Sequence, residues 1–281
     1  MLEDSKLIYP HLSIMRYSPA WIDESKTTEL ALKWQSSLVS FFITQPHRKQ
    51  EAFLIGSGFI YLLSDHMPCI VSASHVIKEM QKSESPFISI DGNEFKFEHL
   101  DIFFNDEQDY AIIPMPEKIM KAIPNSILFD TKIDNEYFDK TSSFVIMGYP
   151  SKVNKLHKMY PEKSLSPFNI NFHNFFYERK TEDIYFHFIA EGKEKNICFE
   201  DASTNKNVTS LAGMSGSVIA QLIISKLNGG VSLKAIGIFK EHRPKRGNFL
   251  VGSTFIDFAD EVNSCLNNDE NQPSHFLPLT Q

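Results

Sequence analysis

Apolar residues recur along this chain in short runs broken by Gly, Pro, Asn, Asp and Ser, the spacing of strands and turns rather than of long amphipathic helices. Ser37–Thr44 is an apolar run fit for a buried strand, and Glu51–Leu63, which contains Gly56-Ser-Gly58, is another. Ser64-Asp-His-Met-Pro68 is a turn, Cys69–Ser74 another strand, and His75–Lys82 a short helical segment. Phe87–Ile90 and Glu94–Phe97 flank Asp91-Gly92, a hairpin signal. Tyr110–Pro114, Ser142–Pro150, Val218–Ile224, Leu233–Phe239 and Phe249–Thr254 add strands. Tyr185–Glu191 and Asn196–Phe199 read as a pair. Helical spacing also marks Thr27–Ser36, with Thr27 or Thr28 as N-cap, and Ile256–Leu266, which reads as a closing helix.

This pattern predicts an all-β fold of barrels or sandwiches, not a parallel α/β sheet. The expected organisation is an N-terminal arm and helix (1–36), a first β unit (37–118), a second (119–266) with an insertion near 151–182, and a mobile tail (267–281). The proline-punctuated stretch from Pro114 to Pro124 is the candidate crossover between the units.

Composition narrows the classes. The chain has 281 residues, 42% of them hydrophobic, enough for a substantial core. Its net charge of −7 and dispersed Lys and Arg argue against nucleic acid as a partner. The three cysteines, Cys69, Cys198 and Cys265, are too few and too scattered for a disulfide framework or a zinc site, so no metal or other cofactor is expected. No apolar run has the length of a membrane span, and no secretory leader is evident. A reduced, cytoplasmic protein is the expectation. The basic run His242-Arg-Pro-Lys-Arg246 reads as a solvated loop, and the 24 phenylalanines as core.

The candidate chemistry lies in three places. Gly213-Met-Ser-Gly-Ser217 sets a serine between glycines, which let a backbone fold tightly enough for neighbouring amides to converge on one point. A serine hydroxyl needs a base within reach, and the base needs an orienting carboxylate. Upstream stand Ser72-Ala-Ser-His75-Val76 and Asp109-Tyr-Ala-Ile-Ile113. Asp101 and Asp106 compete with Asp109 as the acid, but an apolar strand begins directly after Asp109.

The order His75, Asp109, Ser215, with these local contexts, resembles the trypsin-like serine peptidases, and in style the disulfide-poor bacterial HtrA and glutamyl-endopeptidase groups. Gly56-Ser-Gly-Phe59 is similar to the strand before the histidine segment in those families, and Ala235-Ile-Gly-Ile-Phe239 to the strand after the serine loop. The resemblance implies two six-stranded antiparallel β-barrels (the chymotrypsin fold) with a C-terminal helix. It implies Ser215 as nucleophile, His75 as base and Asp109 as its orienting acid. The oxyanion hole would be the amides of Gly213 and Ser215. It places Thr209 at the base of the primary specificity pocket, Phe239 on its flank and His242 along its rim. A protein or peptide substrate and a regulatory protein partner are the implied partners. One departure is chemical: digestive trypsins carry Asp where this chain has Met214, so an ion pair to a freed N-terminus cannot set this loop.

Overall fold

The computed structural model describes residues 15–16, 33–45, 48–62, 68–98, 100–123, 138–154, 156–157, 165, 167–173, 176–178, 183–187, 199–200, 207–208, 210–227, 229–243 and 249–254. Its strands are β1 (Met15–Arg16), β2 (Leu38–Gln45), β3 (Arg48–Leu62), β4 (Pro68–Ser72), β5 (Phe87–Ile90), β6 (Asn93–Lys96), β7 (Phe103–Asn105), β8 (Tyr110–Pro114) and β9 (Phe138–Gly148). They continue with β10 (Leu156–His157), β11 (Phe168–His173), β12 (Phe176–Glu178), β13 (Asp183–His187), β14 (Phe199–Glu200), β15 (Asn207–Val208), β16 (Val218–Ser225), β17 (Gly230–Arg243) and β18 (Phe249–Thr254). Helices α1 (Ser74–Gln81) and α2 (Glu117–Ala122) are short, and Trp34–Ser37 is a single 3-10 turn.

Two antiparallel sheets carry the fold, as the strand pattern predicts. The first runs β6-β5-β2-β3-β4-β8-β7, with β10 paired to β3. The second runs β11-β9-β16-β17-β18-β13-β12, with β1 paired to β17. Each continuous path thus has seven strands. The chain leaves the first sheet after β8 and enters the second at β9. On the way, the proline-punctuated crossover winds into α2, which follows directly on Pro116, whose fixed φ suits a helix entry.

Alternating residues of the same strands enter different cores, so both faces of each sheet are buried. One face of the first sheet packs Val39, Phe41, Ile60 and Ile70 against Val76, Ile77 and Met80 of α1. Its other face sends Leu38, Phe42, Phe59, Tyr61 and Val71 into a shared layer with Val145, Met147, Val218, Ala220 and Ile238 of the second sheet. The far face of the second sheet holds Phe144, Ile146, Ile219, Phe239 and Leu250. Two-sided burial explains why these strands read as continuous apolar runs rather than alternating ones.

Some details differ from the sequence reading. The strand β7 has no counterpart in it, because Phe103-Phe-Asn105 is too short to register as a run. Of the expected pair Tyr185–Glu191 and Asn196–Phe199, residues 188–198 lie outside the described residues, and Tyr185–His187 belongs to β13, which pairs with β12 and β18. Phe199–Glu200 instead pairs with Asn207–Val208 in a separate two-stranded sheet. Within 151–182, β11 and β12 are edge strands of the second sheet. Of the helix expected over 27–36 only the end is described, as the 3-10 turn at Trp34–Ser37. The closing helix at 256–266 and the tail lie outside the described residues. No helix among the described residues is long and apolar enough to cross a membrane.

Candidate active site

His75 sits in the first turn of α1, directly after the buried strand β4. Ala73 caps this helix in an extended conformation without a side-chain hydrogen bond. The N-terminal amides are instead tied to the loop before β8. Ser74 N donates to Asp109 O at 3.2 Å, and His75 N donates to Asp109 Oδ1 at 3.1 Å. His75 Nδ1 lies 2.8 Å from Asp109 Oδ2. Because a carboxylate only accepts, this contact puts the proton on Nδ1 and leaves Nε2 as the basic ring nitrogen. Asp109 itself has φ of 57°, the left-handed region that asparagine and aspartate tolerate best among residues with a Cβ. The two bonds to its carboxylate hold it there.

His75 is raised above its ordinary pKa, chiefly by the hydrogen bond to Asp109. Burial works against this, and the charges of Asp109, Glu79 and Glu241 add to the rise. The rival Asp106 is committed elsewhere. Its Oδ1 accepts from Ser74 Oγ at 2.6 Å and its Oδ2 pairs with Lys78 Nζ. Those bonds, the lysine's first, hold its carboxyl below the usual range. Asp101 is exposed.

The serine loop comes from the second sheet, between residue 210 and β16. Four successive peptide planes in it are pinned by their carbonyls. Ala212 O accepts from Ser151 N at 2.7 Å, and Gly213 O from Ser57 Oγ at 2.7 Å. Met214 O accepts from Ser217 N at 2.9 Å, and Ser215 O from Ser57 N at 2.8 Å. In a trans peptide the N–H points opposite to the carbonyl, so each bond also aims an amide. The amides of Met214 and Gly216 find Leu211 O and Phe239 O, at 2.9 and 2.8 Å. Those of Gly213 and Ser215 have no acceptor among the described residues. Two amides two residues apart, each without an acceptor among the described residues, can both donate to one anionic oxygen.

Two glycines make this geometry possible. Gly213 (φ 88°) and Gly216 (φ 87°) are both left-handed. A Cβ at Gly216 would overlap Ser57 O of β3 and Ser72 Oγ of β4, so the serine loop of one sheet lies directly on the strands of the other. Gly216→Ala is therefore expected to push the sheets apart at this point. Soluble protein should melt several degrees lower, on the order of 2 kcal/mol or more from left-handed strain and overpacking, read by thermal denaturation. A wild-type melting point would show that this contact is not tight.

Met214 is fully buried. It packs with Leu211, Phe239 and Leu250, and Ser217 Oγ lies 3.8 Å from its sulfur. Apolar packing thus anchors the loop at Met214. Met214→Ala should cost about 2–5 kcal/mol by denaturant titration, the range for truncating a buried methionine. A change well under 1 kcal/mol would mean that the loop is held without this anchor.

Ser215 Oγ donates to Lys240 O at 2.9 Å. No hydrogen bond joins it to His75 among the described residues. Lys240 lies at a bulge of β17, between the residues paired with Gly252 and Val251. Its ammonium forms an almost fully buried ion pair with Asp183 on β13, at 2.8 Å. Of the expected pocket residues, Phe239 is only 1% exposed, and its ring belongs to the core of the second sheet. His242 is half-buried on β17, and Thr209 lies outside the described residues. The sequence reading missed Ser57, Ser151 and Lys240, which act largely through backbone atoms that every residue carries. Only the glycines flanking Ser57 hinted at a close approach there.

No group of three His, Cys, Asp or Glu side chains is placed to hold a metal ion among the described residues. No family model matches the chain, and no curated protein matches it significantly. Among solved structures, a catalytically inactive tobacco etch virus protease complexed with substrate is similar at 13% identity and a TM-score of 0.47, over 89% of each chain. A thermostable serine protease, AL20, from an extremophilic microorganism is similar at 10% identity and a TM-score of 0.47, over 85% of this chain and 100% of that one. The serine protease domain of the Sesbania mosaic virus polyprotein is similar at 15% identity and a TM-score of 0.43, over 80% of this chain and 91% of that one.

Proposed function

We propose that the chain is a serine endopeptidase of the trypsin-like kind that hydrolyses peptide bonds of a protein or peptide substrate through an acyl-enzyme. The observation that carries this reading is the pairing of His75 with Asp109 beside the first sheet, together with a serine loop from the second whose Gly213 and Ser215 amides have no acceptor among the described residues.

In this reading Ser215 Oγ leaves the Lys240 carbonyl and gives its proton to His75 Nε2 as it attacks the scissile carbonyl carbon. The carbonyl oxygen, now negative, is held by the Gly213 and Ser215 amides. The imidazolium is stabilised by Asp109 and then protonates the departing amine. Water repeats the sequence on the ester, and His75 returns the proton to Ser215. The Met214 anchor means that packing sets the loop in place of an ion pair to a freed N-terminus.

One observation favours a second reading, a trypsin-like module that binds a partner without cleaving it. The Ser215 hydroxyl is donated to Lys240 O rather than to His75. A fluorophosphonate probe separates the two. Labelling of the wild type but not of Ser215→Ala supports the peptidase, and no labelling of the wild type would leave the binding module. A cytoplasmic site of action and restraint by a regulatory protein partner belong to the proposal as well.

A further inference from the structure

Ser57 is fully buried on β3, yet all its polar groups reach the junction of the two sheets. Its N donates to Ser215 O and its Oγ to Gly213 O; that same Oγ accepts from Tyr149 N at 2.8 Å, and its carbonyl accepts from Ser72 Oγ at 2.7 Å. One hydroxyl therefore joins three pieces of backbone: β3, the serine loop and the turn after β9.

That turn matters because Ser151, two residues beyond Tyr149, pins Ala212 O. The two peptide planes that meet at Gly213 are thus fixed by a single device. The 213–214 plane is held by Ser57 Oγ directly. The 212–213 plane, which carries the Gly213 N–H, is held by Ser151 N from a turn anchored on the same hydroxyl. Gly213 needs such restraint, since a glycine at φ of 88° has no side chain to hold it there. The approach is close enough that a Cβ at Gly148 would overlap Ser217 Oγ and crowd Ser57 Oγ.

We propose that Ser57 is a positioning residue: through its hydroxyl it holds the Gly213 amide toward the cleft, so that the oxyanion site is formed before substrate arrives. This rests on the peptidase reading for its consequence in turnover, though not for its consequence in loop geometry. Ser57 touches no reacting atom.

Ser57→Ala removes one hydroxyl and adds no bulk. It leaves Gly213 O and Tyr149 N, both in a buried setting, without their partner. The expected result is a kcat lower by about 10²-fold, the low end for losing one oxyanion donor, with KM within about twofold. A structure of the variant should show Gly213 out of its left-handed conformation or its amide turned to a new acceptor. Ser40→Ala is the control. It removes an equally buried hydroxyl from the residue paired with Ser57 on β2, one that donates to Ser89 O of β5 at 3.2 Å and makes no bond to the serine loop. It should lower the melting temperature without changing kcat. An unchanged kcat in Ser57→Ala with a wild-type loop would overturn the proposal, as would equal kcat losses in the two variants. If the wild type shows no Ser215-dependent turnover, the peptidase reading fails, and the loop geometry of Ser57→Ala alone decides the role of Ser57.

Discussion

Ser215→Ala is expected to lower kcat on a peptide substrate by about 10⁶-fold, leaving a residual rate from binding and the oxyanion site. The size follows from the arrangement of the loop. Alanine removes the hydroxyl that the peptidase reading makes the nucleophile, on a loop whose Gly213 and Ser215 amides have no acceptor among the described residues. The four carbonyl bonds that pin the loop all lie on the backbone or on Ser57, so none depends on the Ser215 side chain. The variant should therefore fold and bind peptide with little change in affinity, losing only the hydrogen bond to Lys240 O. The check is steady-state kinetics beside peptide binding and thermal denaturation. A variant that keeps more than about a thousandth of wild-type turnover would point to a different nucleophile.

The second large effect is that of Asp109→Asn, expected to reduce kcat by about 10⁴-fold, the size of the effect when the carboxylate of such a triad becomes an amide. An amide in this place offers its NH₂ or its carbonyl to His75 N and Nδ1, which are both donors in the wild type. The imidazole then loses the bond that keeps its proton on Nδ1, and the imidazolium loses its counter-charge. The pH profile should report this separately from the rate. The base must be neutral to act, and Asp109 favours the protonated ring, raising the His75 pKa. Wild-type activity should rise with pH through a midpoint above the ordinary histidine value of about 6.5. In Asp109→Asn the main raising cause is gone while burial still lowers the pKa, so the midpoint should move to lower pH. Measuring kcat/KM between pH 5 and 9 decides it, at ionic strength held constant. A midpoint that stays in place would mean that another group sets the limb, and Glu241 and Glu79 are the charges to examine next.

The Lys240–Asp183 pair has a different standing. Truncating either partner would strand a nearly buried charge, which is costly whatever the pair contributes on its own. Its place at the bulge that presents the Lys240 carbonyl makes it part of the frame of the site. Loss of activity in such a variant would therefore not by itself mark a catalytic role.

The sequence by itself determined most strands of this protein and the order of its candidate site residues. Apolar runs such as Ser37–Thr44, Cys69–Ser74 and Val218–Ile224 are long because both faces of each sheet are covered, so burial is written into most residues of the run. Asp91-Gly92 marked its hairpin, with left-handed φ at both positions. His75 and Asp109 were legible as a pair because each opens or closes an element with a clear local pattern. Other features had no local signature. Phe103–Asn105 is strand only because β8 lies beside it, and Asp183–His187 pairs with β18 across a long stretch of chain. The tertiary structure alone decided where the Ser215 hydroxyl rests, which amides of the serine loop stay unpaired, and that Phe239 belongs to the core. The reason is physical. Those outcomes are set by backbone carbonyls and amides brought together from Ser57, Ser151, Ser215 and Lys240, and a backbone group has the same chemistry at every position until the fold gives it a partner.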